Sequence, residues 1–402
     1  NITKEEKVLI ISSQMSFMIN LTMRSKKMKK LYSSKLKFNK DFQSLKKAFY
    51  KKKILITGHT GFKGSWLTLW LLSFGAKVYG ISKDIPTNPS HYKQLNISKK
   101  AKGYFFEIQN KYKLQQTVKT IKPDYIFHLA AQSIVKKSFT DPVTTWNTNL
   151  VGTMSLLESL RNVNFKKEMI VILITSDKAY KNLELKRGYR ENDLLGGEDP
   201  YSASKGSVEI LINSYIRSFF RNKKIKFGVA RAGNVIGGGD WSYERLIPDC
   251  VKSWSLNKKV FLRNPNSTRP WQHVLEVLFG YLKLAYFLKK RFISSNEAFN
   301  FGPTKSKKMR VIDLVKQMRI HWKKVEWKLL SERKKTYKEA RLLQLNSNKA
   351  KRKLKWKCIL SQKQTIKLVS EWYKHFYSTK SKRIISNEQI NFYEKLINKK
   401  KQ

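Results

Sequence analysis

Cysteine is nearly absent from this sequence: Cys250 and Cys358 are the two in 402 residues. That excludes a disulfide framework and a multi-cysteine zinc site, and it fits a reducing compartment. Acidic residues are scarce as well, 28 against 83 Lys plus Arg, which leaves a formal charge of +55. No uncharged apolar run reaches the roughly 18–20 residues of a membrane span. The nearest, residues 8–23, is diluted by Ser12, Ser13, Gln14, Ser16, Asn20 and Thr22, while Glu5 and Glu6 spoil the basic flank that a signal peptide needs. The expectation is a cytoplasmic protein with no membrane span.

Hydrophobic residues make up 41% of the chain and aromatics 12%, enough to bury a core and to exclude a wholly disordered protein. The excess charge gathers at the ends: residues 1–53 hold 15 basic and 3 acidic side chains, and residues 304–402 hold 30 and 7. Clustered cations bind polyanions by releasing counterions from phosphates. Here, however, there are 66 Lys to 17 Arg, and Arg is the residue suited to bidentate phosphate contacts. With no RNA-binding motif, zinc finger or heptad-bearing basic region beside it, the charge reads as a solvated surface, and no dedicated nucleic-acid partner is expected. Residues 1–50, which start at Asn1, read as a basic N-terminal extension, either disordered or not native to the protein.

From Lys53 onward strand-like and helix-like segments alternate, the pattern of βαβ units and a parallel sheet. The spacing predicts strands at 54–57, 77–81, 124–130, 171–175 and 227–230, with helices at 63–74, 144–160 and 200–219. The expected fold is therefore α/β, a doubly wound parallel sheet over residues 51–233. A smaller mixed lobe over 234–378 follows, where Gly237, Gly238, Gly239, Pro248, Pro265, Pro270 and Pro303 break the alternation. Some segments of that lobe should return to the sheet. Residues 379–402 read as a basic tail, weakly patterned and frayed or disordered.

Two constellations carry chemistry. Gly58, Gly61 and Gly64 stand between a buried strand and an amphipathic helix. That is where a first glycine makes a tight turn, a second admits a pyrophosphate to the backbone and a third lets the helix pack on the strand. The anion then sits on the helix N-terminus. A purely structural turn is the plainer reading; the strand before and helix after favour dinucleotide binding. Asp84, beyond the second strand, is the candidate for the adenosine ribose, with Lys77 and Lys83 near enough to accept an added phosphate instead.

Tyr201 and Lys205 are four apart, so one helix face presents both. The ammonium is expected to depress the phenol pKa towards neutrality and make Tyr201 a base for a hydroxyl proton. The pair follows a strand that ends in Thr175-Ser176-Asp177-Lys178, the edge where parallel sheets place their chemistry. The bland alternative for Ser176 and Asp177 is a turn cap, and for Lys178 one more solvated lysine.

With these residues the sequence resembles the extended short-chain dehydrogenase/reductases of the NAD-dependent epimerase/dehydratase family. Within them it is similar to the CDP-glucose 4,6-dehydratase group. Besides Gly-x-x-Gly-x-x-Gly and Tyr-x-x-x-Lys, the resemblance rests on Gly-His-Thr-Gly-Phe-Lys-Gly-Ser-Trp at 58–66, His-Leu-Ala-Ala-Gln at 128–132, and Thr-Ser-Asp-Lys at 175–178. Ala-Gly-Asn-Val-Ile-Gly-Gly-Gly-Asp-Trp at 232–241 and Thr-Arg-Pro-Trp-Gln-His-Val at 268–274 complete it. It spans about residues 42–376. Two departures are Glu107 before Ile108, where the family commonly has Asp, and Asn346 where Asp is commoner.

The resemblance implies a Rossmann-type sheet, NAD as cofactor, CDP-glucose or a related nucleotide-hexose as substrate, and a homodimer paired through the helices at 144–160 and 201–219. It implies that Tyr201 is the base at the four-hydroxyl with Lys205 tuning it, that Ser176 bonds the same oxygen, that Asp177 protonates the departing six-hydroxyl, and that Lys178 serves the carbon-five step. For the cofactor it implies Gly58, Gly61, Phe62, Lys63, Gly64, Asp84, Glu107, Ile108, Ala130, Ala131, Gln132, Tyr201 and Lys205. For the substrate it implies Asn149, Asn234 and Arg269, then Arg231, Arg245, Arg263 and His273; an Arg fork matches a diphosphate. No metal is expected. The rivals are another nucleotide-sugar dehydratase or a 4-epimerase on the same fold, and a non-catalytic basic binding protein on a decayed scaffold.

Overall fold

The computed structural model describes residues 42–262, 264–303, 309–329, 343–378 and 384–399. The chain parts into two units, residues 1–44 and 45–400. Of the first, residues 42–44 are described; they open helix α1 (Phe42–Phe49). The second unit holds everything that follows.

Its centre is a seven-stranded, all-parallel sheet built from β1 (Lys53–Thr57), β2 (Lys77–Ser82), β3 (Lys102–Phe105), β4 (Tyr125–His128), β5 (Met169–Ile174), β6 (Ile225–Ala232) and β7 (Glu297–Phe301), in the order β7-β6-β5-β4-β1-β2-β3. The central strands are continuous apolar runs, Tyr-Ile-Phe-His in β4 and Met-Ile-Val-Ile-Leu-Ile in β5, because helices cover both faces. Those helices are α2 (Phe62–Ser73), α3 (Lys111–Ile121), α4 (Gly152–Arg161), α5 (Pro200–Phe219) and α6 (Val274–Lys289). The core under α3, α4 and α5 includes Leu55, Ile126, Val171, Leu114, Leu157, Val208 and Phe227.

The chain runs β1, β2, β3 outward, then returns to lay β4 against the other side of β1. The strand order therefore reverses between β1 and β4, and a crevice opens at their carboxyl ends, the place where such sheets bind ligands. The glycine turn follows β1 there. The segment after β4 faces it.

Several expected elements extend or break differently. The expected helix at 144–160 starts at Pro142, pinned by its N-cap Asp141, and passes through a wider π-type turn at Asn147–Val151 before α4. The sequence reading did not name β3, a sheet-edge strand with two half-buried and two exposed residues, nor α3 and β7. The expected disordered or frayed tail is corrected over α8 (Ser386–Lys399), a packed helix that follows α7 (Gln362–Ser378). Its Ile390, Tyr393 and Ile397 are buried, and the Tyr393 hydroxyl donates to Glu276 at 2.6 Å. The spacing i, i+3, i+7 was there to be read, but seven of 24 residues from 379 to 402 being basic obscured it. Beyond β6 the chain forms short strand pairs and a helix, Leu246–Ser255, around Trp241, Trp372 and Phe376.

Candidate active site

The glycine turn is shaped by contacts that leave no room for side chains. Gly58 takes φ +75°, donates to Ile81 O at 2.7 Å, and a Cβ there would stand 2.9 Å from Ala130 N. A Cβ on Gly64 would lie 2.0 Å from Gly58 O, so the third glycine lets α2 close onto the turn. Gly61 precedes α2 and offers no side-chain cap, which leaves the first-turn N–H groups of Phe62, Lys63 and Gly64 facing the crevice end of the helix. Ala130 and Ala131 stand opposite, half-buried, and Ala130 N donates to Thr57 Oγ1 at 3.2 Å.

At the ends of β2 and β3 the rim is polar. Lys83 pairs with Glu107 at 2.7 Å, and that hydrogen bond, with the charges of Glu107 and Asp84, raises the lysine pKa. Asp84 is exposed, with its backbone carbonyl taking the Thr60 hydroxyl at 2.7 Å. Ile108 is instead buried against Gly152. The Gln132 side chain is spent internally on Ile134 and Thr145, which corrects it as a side-chain contact for a cofactor.

Ser176, Asp177 and Lys178 lie just past β5. Tyr201 and Lys205 lie on the first two turns of α5, whose entry is set by Pro200 at its first position and by Asp199 accepting from Ser202 N at 2.9 Å. Tyr201 N donates to Ser138 Oγ at 3.2 Å, which holds that turn against the segment after β4. Ser176 lies close enough to the Tyr201 phenol to lower its pKa, and the Ser176 hydroxyl donates to Asp177 Oδ1 at 2.9 Å. The structure thus brings base, hydroxyl and carboxyl together at one strand end.

Burial sets the charges of this group. It raises the Asp177 carboxyl above its ordinary range, against the pull of Lys178, Ser176 and Lys63. It pushes the Lys205 ammonium down to about 8, with Lys63 acting the same way and Glu209 opposing. Lys63 is likewise brought to about 8, first by burial and then by Arg245. The expected depression of the Tyr201 phenol is corrected for the chain by itself: burial pushes it up to about 12, with Ser176 and Arg245 acting against the rise.

The residues expected at the substrate divide. Arg231 is buried and bonded to Glu209, Tyr180 and Glu191 O, so it braces the sheet edge and is corrected as a substrate contact. Asn149 is corrected likewise: its amide bonds Gln132 and Ser204, and Ser204 bonds Tyr201 O. His273 is fully buried, with Nδ1 capping α6 through Leu275 N and Nε2 without a hydrogen-bond partner among the described residues. Arg263 lies outside the described residues. Arg245 is half-buried, bridging Asp240 at 3.3 Å and Ser133 at 2.9 Å. Asn234 and Arg269 are half-buried, Asn234 just past β6 and Arg269 in a two-residue strand paired with Met309 and Arg310. Sequence reasoning missed Ser138 and Glu209, whose partners are distant in the chain and carry no local signal, and Asp240, whose side chain bonds Ser242 N and Arg245 close by.

A family model described as GDP-mannose 4,6 dehydratase matches residues 55–369. The chain is 40% identical over 348 residues to CDP-glucose 4,6-dehydratase of Salmonella typhimurium, covering 85% of this chain and 96% of that protein. Among solved structures, an epimerase of Methanothermobacter thermautotrophicus aligns with a TM-score of 0.72 at 21% identity, covering 84% of this chain and 96% of that one. A dTDP-glucose 4,6-dehydratase of Bacillus anthracis in complex with NAD aligns with a TM-score of 0.65 at 22% identity, covering 80% and 96%.

Proposed function

The chain belongs to the GDP-mannose 4,6-dehydratase family, and on that premise we propose that it is an NAD-dependent hydro-lyase converting CDP-glucose to CDP-4-keto-6-deoxyglucose. The observation that carries the reading is the grouping of Tyr201, Ser176 and Asp177 at the strand edge beside the glycine turn. A proton acceptor and a carboxyl whose proton is held more firmly because of burial suit oxidation followed by elimination; a simple 4-epimerase has no leaving hydroxyl to protonate.

The residues present fit the cofactor: the turn at Gly58, Gly61 and Gly64 would hold its pyrophosphate with Phe62 and Lys63, Asp84 and Glu107 would meet its adenosine end, and Ala130, Ala131, Tyr201 and Lys205 its nicotinamide end. NAD, when bound, supplies the acceptor for the hydride from carbon four and later its donor to carbon six. Tyr201 takes the proton of the four-hydroxyl, and Ser176 bonds that oxygen as it becomes a ketone. The ketone acidifies the carbon-five proton, and Lys178 serves that step by taking the proton or holding the enolate charge. Asp177 gives its proton to the six-hydroxyl, which leaves as water. Arg245, Asn234 and Arg269 remain for the nucleotide diphosphate.

The reading extends to a cytoplasmic homodimer that feeds dideoxysugar and lipopolysaccharide synthesis. Cys250 and Cys358 are not joined in a disulfide, which supports a reducing compartment, and the described helices include none long and apolar enough to cross a membrane. Ile210 on α5 is 62% exposed, and Met154 is exposed on α4, apolar side chains suited to pairing these helices with a second copy.

Mass analysis of products from CDP-, dTDP-, GDP- and UDP-hexoses tests the proposal. CDP-glucose should give a product lighter by one water with no net reduction of NAD, and deuterium at carbon four should reappear at carbon six. Wash-out to solvent, or inversion at carbon four without loss of water, would refute it.

A further inference from the structure

Asp177 follows β5 and Gly233 follows β6 directly, and because the strands pair with Ile174 opposite Ala230, the residues just past them face each other. One oxygen of the Asp177 carboxyl, Oδ1, accepts the Ser176 hydroxyl at 2.9 Å. The other, Oδ2, lies against the Gly233 backbone: a Cβ there would stand 2.8 Å from Oδ2 and 3.3 Å from Cγ. Gly233 is not among the glycines with positive φ. What the position uses is therefore the missing side chain and not the backbone freedom of glycine.

A carbon–oxygen contact relaxes only beyond about 3.3 Å, so a methyl at 233 would have to push the carboxyl aside by roughly half an ångström. The atom in the way is the end of a short side chain with two free torsions, and rotating it disturbs no backbone. Accommodation is thus easy for the fold. It is not easy for the chemistry, because displacements on the ångström scale cost about a hundredfold in rate when a reacting group is misplaced.

We infer that Gly233 is a positioning residue for the elimination step: its bare Cα is the wall that fixes the rotamer from which Asp177 reaches the six-hydroxyl. The inference rests on the acid role proposed above for Asp177. In that step the carboxyl proton passes to the oxygen on carbon six, the carbon–oxygen bond breaks and water leaves. The electron pair of the carbon-five C–H bond becomes the new double bond, its proton going to the base. Only the first of these transfers depends directly on Gly233, so elimination suffers far more than oxidation at carbon four.

The test compares Gly233→Ala, Asp177→Asn and the double variant. Each is followed by melting temperature and by borodeuteride trapping of sugar products from CDP-glucose with mass analysis. Gly233→Ala should melt within about 4 °C of the parent, oxidise carbon four within about threefold of the parental rate, and lose water about a hundredfold more slowly. The 4-keto hexose that still carries its six-hydroxyl should then accumulate. In the Asp177→Asn background the second change should have almost no further effect on dehydration. Parental dehydration by Gly233→Ala, equal slowing of oxidation and dehydration, or a full effect in the Asp177→Asn background would each overturn the inference. Parental dehydration by Asp177→Asn would instead remove the acid role itself, and the inference with it.

Discussion

Arg231 and Glu209 form a pair sealed inside the protein, their side chains 4% and 3% exposed, with Arg231 Nε donating to Glu209 Oε1 at 2.7 Å and a second bond from Nη2 to Oε2. Glu209 Oε1 also accepts the Thr175 hydroxyl at 2.6 Å, so the pair stands behind the segment that leads into Ser176 and Asp177. Removing one partner leaves a buried charge without its counter-ion. Arg231→Met should therefore cost about 3–5 kcal/mol of stability, seen as a lower midpoint in urea. A variant that kept its stability but bound nucleotide-sugar less well would restore Arg231 as a substrate contact.

Replacing Tyr201 with Phe removes the proton acceptor while keeping the ring that packs in the site. Oxidation at carbon four should fall by at least ~100-fold. Binding of CDP-glucose, followed by calorimetry, should change little. Loss of both together would mean that the phenol is needed for folding.

The charge state of Asp177 gives a pH dependence with a definite sign. Burial raises its folded pKa above 3.8, so between 3.8 and the raised value the folded state holds a proton that the unfolded state has released. Stability contributed by the neutral carboxyl is complete below 3.8 and is lost as pH rises through the folded value. Asp177→Asn should accordingly be more stable than the parent at neutral pH, and the gain should vanish in acid near pH 3.8. Melting curves across pH test this directly; a variant less stable at every pH would contradict a desolvated carboxyl.

Lys205 titrates with the opposite sense. Its folded pKa is lowered from 10.5 to about 8, so the folded state releases its proton first and stability attributable to this group rises between pH 8 and 10.5. Lys205→Met should raise the melting temperature at neutral pH while abolishing turnover. If it lowered stability there, the ammonium would be paired more favourably than its burial suggests.

The closing helix makes a separate prediction. Glu276 accepts Ile359 N and Leu360 N on one oxygen and the Tyr393 hydroxyl on the other. Tyr393→Phe deletes that last donor to a buried carboxylate and should cost about 1–3 kcal/mol, with kcat unchanged. Thermal unfolding alone should reveal it.

The local features of this protein were written in its residues. Glycines at 58, 61 and 64 behind an apolar strand, and Tyr201 four residues before Lys205, are spacings along one chain, and backbone geometry turns such spacings into a turn and a helix face without outside help. Only the tertiary structure decided which polar side chains were spent inside. Arg231 and Asn149 look like ligand contacts in sequence because nothing local shows that Glu209 or Ser204 will meet them. The same holds for the phenol of Tyr201, whose pKa follows burial more than its lysine neighbour. Desolvation and pairing across the sheet depend on residues far apart in the chain, and their energies exist only once the strands lie side by side.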